Sequence, residues 1–350
     1  MQIDPNLASI NINLRSVTIL VWLGSSLIAW ISGVSENASA QSMIASTPLS
    51  GSQVSGSQVS SNSTNSASIG KQNVAGPAGR EMIDPNLLVF YALKSSIAGS
   101  KISYKVHQLT NAYNQQVILS GEYKSTGNWT GQFRYTARVS AGETTMDVIQ
   151  ISDGRLMYTQ FGADSPPKLV NVEKVREQLI PRIYRPEENQ DVYVLLAIGG
   201  QAELMRSLYQ RYNWHRAEEG KIGGLDVWQL FGKLRTEPPK HMGTAEIDQQ
   251  LVAMNPDTEN LPSHVRLTLG RPVAGQNETS IPYFPYQIEY FRLEKNEKGH
   301  AVRLAPLSKI EYLEPTRNFK ESESDFIYRV EPTIERIDEE TSRYVPRIQP

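Results

Sequence analysis

The eleven residues from Trp129 to Val139 leave the chain few ways to fold. Trp129, Gly131, Phe133, Tyr135, Ala137 and Val139 alternate with Thr130, Gln132, Arg134, Thr136 and Arg138. A period of two puts the first set on one face of a strand and the second set on the other. One face is dry and one is wet, as in an antiparallel sheet covered on a single side. The same alternation recurs upstream, where Ile102, Tyr104 and Val106 alternate with Lys101, Ser103, Lys105 and His107, and Val117, Leu119 and Tyr123 share a face. Thr145–Ile151 and Leu156–Phe161 are joined by Ser152-Asp153-Gly154-Arg155, in which Asp-Gly favours a tight hairpin turn. Antiparallel strands are therefore expected in unbroken succession from residue 101 to residue 161.

Pro262–Leu313 is a second sheet-forming stretch. It reads as strands at His264–Leu269, Phe284–Leu293 and Ala301–Leu304, the last resuming at Leu307–Leu313. Within the first, Val265, Leu267 and Leu269 alternate with His264, Arg266 and Thr268. Helices are expected between the two sheet-forming stretches, at Val172–Leu179, at Val192–Ile198, and after Gly199-Gly200, where Leu204, Leu208, Arg211 and Tyr212 recur at helical spacing. Strands return at Trp214–Glu218 and Leu225–Leu234, and Asp325–Val330 reads as a last strand. A helix opens the folded part: Asp84 suits an N-cap, Pro85 a first helical residue, Leu87, Phe90, Tyr91 and Ile97 share a face, and Gly99 stops it. Strands interrupted by a central helical block indicate an α+β fold, a highly curved antiparallel sheet of about 10–11 strands, an incomplete barrel with helices packed as a lid.

Composition divides the chain. All 16 Tyr and all 8 Phe lie at or beyond Phe90, and Lys71 and Arg80 are the only charges between residues 41 and 80. The N-terminal part therefore cannot build a core. Within it, Arg15 precedes the apolar run Val17–Ile31, and Ala38-Ser39-Ala40 has the small residues of a signal-peptidase site, with cleavage before Gln41. An uncleaved anchor, touching the membrane through Val17–Ile31, is the alternative. The expected divisions are residues 1–40 as signal peptide or anchor, 41–80 as a Ser/Gly/Asn-rich linker, 81–331 as the folded domain and 332–350 as a charged tail. Either fate of the export segment places the domain in the periplasm or cell envelope.

The chemistry is sparse. Lys and Arg (35) balance Asp and Glu (37), so no global charge marks a nucleic-acid partner. There is no cysteine for a disulfide, thiolate site, nucleophile or lipid anchor. No phosphate-binding loop, dinucleotide fingerprint, nucleophile elbow or H-E-x-x-H motif occurs. His107, His215, His241, His264 and His300 are far apart, which predicts no metal site. Asp147 and Asp153, or Glu289, Glu294 and Glu311, are the carboxylates a hydrolytic pair would draw on, and they read more simply as charges on wet strand faces. The expectation is a non-enzyme with no cofactor.

Two phrases carry a family resemblance. One is Leu195-Leu196-Ala197-Ile198-Gly199-Gly200-Gln201-Ala202-Glu203-Leu204, followed by Ile222-Gly223-Gly224-Leu225-Asp226-Val227-Trp228-Gln229-Leu230-Phe231-Gly232. The other is Phe284-Pro285-Tyr286-Gln287-Ile288-Glu289-Tyr290. With the order of elements across residues 85–331, they resemble the periplasmic lipoprotein-carrier superfamily (LolA-like and LolB-like), in particular large secreted members. The resemblance implies a half-barrel that holds acyl chains under a helical lid. The large side chains on the strands, Trp129, Phe133, Tyr135, Tyr158, Leu267, Leu269, Tyr286, Ile288 and Tyr290, are the candidate cavity lining, and Gly199 and Gly200 the candidate lid hinge. An acyl chain or lipoprotein is the expected ligand. The alternative is a structural or protein-interaction module whose cavity is filled by its own side chains and whose partner is another envelope protein.

Overall fold

The computed structural model describes residues 83–112, 115–183, 189–235, 262–272, 280–296, 300–330, 332 and 334–344. The export segment with Ala38, Ala40 and Gln41, the Ser-rich linker and His241 lie outside these residues.

Helix α1 (Pro85–Ala98) begins as expected. The Asp84 side chain accepts from the Asn86 backbone N–H at 2.9 Å, and Pro85 occupies the first turn. The buried face differs from the expected one. Leu88, Val89, Phe90, Ala92 and Leu93 are buried, whereas Leu87 is exposed. The helix is covered on more sides than one amphipathic stripe allows, so spacing alone misplaces its face.

Strands β1 (Ile102–Ala112), β2 (Gln115–Ser125), β3 (Gln132–Ala141), β4 (Thr144–Asp153) and β5 (Leu156–Phe161) pair successively and antiparallel, as the alternation requires. The short β6 (Lys168–Asn171) follows, then helices α2 (Val172–Ile183), α3 (Asn189–Leu196) and α4 (Gly200–Arg211). Sheet resumes with β7 (Tyr212–Ile222), β8 (Leu225–Leu234), β9 (His264–Gly270), β10 (Pro285–Lys295) and β11 (Ala301–Thr316). Asp325–Val330 is not a strand. A 3-10 turn at Glu323–Phe326 leads into irregular chain, and a two-residue strand β12 (Asp338–Glu339) pairs parallel with β6. The expected charged tail thus folds onto the domain as far as residue 344.

All twelve strands form one sheet in the order β12-β6-β5-β4-β3-β2-β1-β11-β10-β9-β8-β7. Its end strands are not paired with each other, so it is unclosed. It is also curved. The Asn86 side-chain amide donates to the Trp214 carbonyl of β7, and the Gly99 carbonyl accepts from Asn128 just beyond β2. Residues 86 to 99 span about 20 Å of helix, whereas six strand spacings from β2 to β7 would span roughly 29 Å if flat. The sheet bends around α1. Its inner face and the helices share one apolar cluster, including Val89, Leu93, Ala197, Leu204, Met205 and Leu208 from the helices and Phe133, Tyr135, Leu267 and Ile288 from the strands.

Candidate functional site

The chain is tightest where α1 ends over the turn between β2 and β3. Gly127, Asn128, Trp129 and Gly131 all have positive φ, at 62°, 49°, 65° and 71°. Two of these are not glycine, and a bulky residue in this region carries strain on the order of 1 kcal/mol. The geometry gives α1 its C-terminal partners. The Asn128 and Trp129 backbone N–H groups donate to the carbonyls of Gly99 (2.8 Å) and Ile97 (3.0 Å), which no helical N–H can reach. Ser125 holds the turn from inside, its hydroxyl accepting from Gly127 N–H and donating to the Gln132 carbonyl, both at 3.1 Å. The Trp129 ring leans on Tyr193 of α3, with centroids 5.0 Å apart.

Two adjoining clefts flank this turn and share Ser96, Tyr123, Ser125 and Gly127. One continues past Gln201 to Tyr283 and Arg317, the other to Arg176, Leu196, Ile198 and Gly199. Each encloses about 30 Å³, against roughly 300–1,000 Å³ for an ordinary ligand pocket. Arg176 of α2 donates to the Gly154 carbonyl at 3.3 Å, and its buried Nε has no hydrogen-bond partner. Burial holds this guanidinium below the usual arginine range.

Helix α4 is latched beside the second cleft. Gly199 and Gly200 take positive φ (71° and 55°). A Cβ on Gly199 would come within 2.2 Å of Met157 Sδ and 2.8 Å of the Phe133 ring. Gly200 N–H donates to Gln150 Oε1 at 3.0 Å, and the buried Tyr104 hydroxyl donates to Gln201 Oε1 at 2.8 Å. Gly199 N–H donates to the Glu203 carboxylate at 2.9 Å, which also receives Arg206 (3.2 Å) and the Tyr344 hydroxyl (3.3 Å). The two glycines therefore sit in a close-packed, hydrogen-bonded junction.

Beneath the helices lies an aromatic ladder. Tyr104 stacks on Tyr123 (4.9 Å) and Tyr123 on Phe133 (5.9 Å), while Tyr104 meets Phe284 and Tyr312 edge-on. Tyr135, Leu267, Leu269, Tyr286, Ile288 and Tyr290 are buried in the same core, and none of them borders either cleft. Phe133 does, in the second. Two candidates are placed differently from expectation. Trp129 lies in the turn and is 44% exposed, because the strand starts only at Gln132, after Gly131 has completed the reversal. Tyr158 points to the other face of the sheet, where it stacks on Tyr328 at 4.7 Å. Its neighbour Met157 takes the inner position against Gly199.

The other polar residues do not converge. Asp147 pairs with Arg138, Glu294 with Arg303, Glu289 with Arg266 and Glu311 with Lys309, all as ion pairs. Asp153 accepts from the backbone N–H groups of Arg155 and Leu156 and fixes its hairpin. Among the described residues no three His, Asp or Glu side chains are grouped to hold a metal, and no helix is long and apolar enough to cross a membrane. The sequence reading missed Tyr123 as a cleft residue, along with Ser125, Gly127 and Arg176. The one local signal was Gly127-Asn128-Trp129-Thr130-Gly131, a turn composition that the alternating pattern had absorbed into a strand.

No family model and no curated protein matches the chain. Solved structures do. LprF from Mycobacterium bovis is 13% identical, over 65% of this chain and 90% of that one, with a TM-score of 0.30. A LolA superfamily protein from Nitrosomonas europaea is 11% identical, over 70% and 98%, with a TM-score of 0.26. MucB, in its complex with MucA from Pseudomonas aeruginosa, is 13% identical over 70% of this chain and 61% of that one, with a TM-score of 0.34.

Proposed function

We propose that this protein is an exported, non-catalytic binding module of the cell envelope, whose half-barrel is filled by its own helices and side chains and which meets a protein partner at its surface. The observation that carries the reading is the interior. Phe133, Tyr135, Leu267, Leu269, Tyr286, Ile288 and Tyr290 share one apolar cluster with α1, α3 and α4, and the two clefts at the β2–β3 turn, each about 30 Å³, are far below ligand size. Titration of delipidated protein with an uncharged fluorescent acyl ester, which has no anionic head, tests it. No saturable binding is expected; stoichiometric uptake would overturn it.

One observation favours acyl-chain carriage as a second reading. The start of α4 is tied to the strands partly through polar latches, Tyr104 to Gln201 and Gln150 to Gly200, rather than by apolar packing alone. Latches of this kind can be exchanged for water when a helix lifts. On that reading Gly199 and Gly200 are the hinge, α1 and α4 the lid, and Phe133, Tyr135, Tyr286, Ile288 and Tyr290 the wall uncovered by its movement. Tyr104→Phe would then increase uptake of the uncharged acyl ester; an unchanged, negligible uptake in that variant counts against the carrier.

A further inference from the structure

We propose that the cleft at Arg176 is a binding site for a small oxyanion, a carboxylate or a phosphate group. A guanidinium offers five N–H donors in a planar fork. Here one terminal nitrogen donates to the Gly154 carbonyl at 3.3 Å, and the fully buried Nε meets no acceptor. No carboxylate among the described residues forms an ion pair with this side chain. A partly buried cation with unused donors and no counter-charge is unfavourable by itself. An oxyanion in the cleft supplies the counter-charge and accepts from the terminal nitrogens, while Nε, fully buried, stays out of its reach.

The surroundings are shaped for the guanidinium. It lies against Gly131, where a Cβ would fall 2.4 Å from Nη2 and push the guanidinium aside, and whose φ of 71° itself favours glycine. Gly131 belongs to the turn that holds positive φ at Gly127, Asn128 and Trp129, and such strain clusters at ligand-binding positions. The other wall is apolar, from Ile97, Leu196 and Ile198. A space of about 30 Å³ accepts the oxygens of an anionic head and leaves the rest of any larger ligand in the cleft mouth or the adjoining cleft. The site stands apart from the protein-partner reading and survives its failure.

The experiment uses the full chain, delipidated, with sodium acetate, inorganic phosphate, decanoate and decanol as probes at constant ionic strength. Calorimetry and the thermal midpoint give the affinity. Saturable binding of acetate or phosphate is expected, lost in Arg176→Gln and weakened about tenfold or more in Arg176→Lys, which keeps the charge but not the fork. Decanoate binding no better than acetate identifies a free anion as the ligand. Decanoate binding at least about tenfold tighter, with decanol inactive, identifies the head of an amphiphile. No saturable anion effect, as when ordered water alone fills the cleft, overturns the proposal. So does anion binding undiminished in folded Arg176→Gln. If circular dichroism shows that Arg176→Gln does not fold, Arg176→Lys decides alone, and undiminished affinity there is the overturning result.

Discussion

Buried tyrosines set the alkaline limit of this protein. Burial pushes the Tyr123 hydroxyl up to about 12, and pushes those of Tyr104, Tyr135, Tyr212, Tyr290 and Tyr312 further above the ordinary value. A raised folded pKa means that the unfolded chain loses its proton first. The stability these groups contribute is complete below about pH 10 and falls as pH climbs towards the folded values, by about 1.4 kcal/mol per pH unit for each tyrosine. Tyrosinate absorbance from the buried set should therefore rise in one steep step, coincident with loss of far-UV circular dichroism. A smooth single titration with native dichroism above pH 12 would contradict this. Glycine replacements separate strain from crowding. Gly142→Ala meets nothing within 4 Å and carries only its left-handed φ, for a loss of about 1 kcal/mol. Gly199→Ala adds the clash with Met157 and Phe133 and should lose about 3 kcal/mol in chemical denaturation. The two glycines were visible in the sequence as a break between helices. That Met157 and Phe133 close on them was not, because local spacing does not report which distant side chains arrive at a backbone.

The irregular segment after β11 works as a strap across the outer face of the sheet. Lys101 donates to the Phe319 carbonyl, Lys124 pairs with Asp325, Tyr328 stacks on Tyr158 and donates to Gln160, and Thr341 Oγ1 accepts from Asn171 N–H. Lys168 and Glu340 close the end with an ion pair at 3.0 Å, each side chain 15% exposed. Glu340→Ala should destabilise by about 2 kcal/mol, because it leaves a largely buried ammonium without this carboxylate. Ending the chain at residue 330 would uncover the β6 edge, and light scattering on storage should rise relative to the full chain. Long alternating strands were legible in advance: β1–β5 and β7–β11 fall where strands were expected, except that the turn at Trp129–Gly131 was read into β3. Four-residue β6 and two-residue β12 are too short to show a period, and the strap is held by scattered polar contacts that leave no pattern in sequence.

At the scale of the whole molecule a single apolar cluster joins the helices to nearly every strand. Thermal unfolding followed by tryptophan fluorescence and by far-UV circular dichroism should therefore coincide; separated midpoints would mean that the helices leave the sheet first. The curved sheet was legible as a class, from unbroken alternation with a helical block between, whereas the filled interior was not, since a core residue and a cavity-wall residue look alike in sequence. The strand order has a last consequence. β1 pairs with β2 on one side and with β11 on the other, Val106 lying opposite both Gly121 and Tyr312. Its second neighbour is about 200 residues away, a separation that makes pairing slow. A ribosome or translocation channel delivers β1 about 200 residues ahead of β11. For all the time between, a nascent chain carries an open strand edge at what will become the middle of its sheet. A chaperone that shields that edge would speed maturation, and translation stops before residue 301 should yield aggregates rather than a smaller folded product.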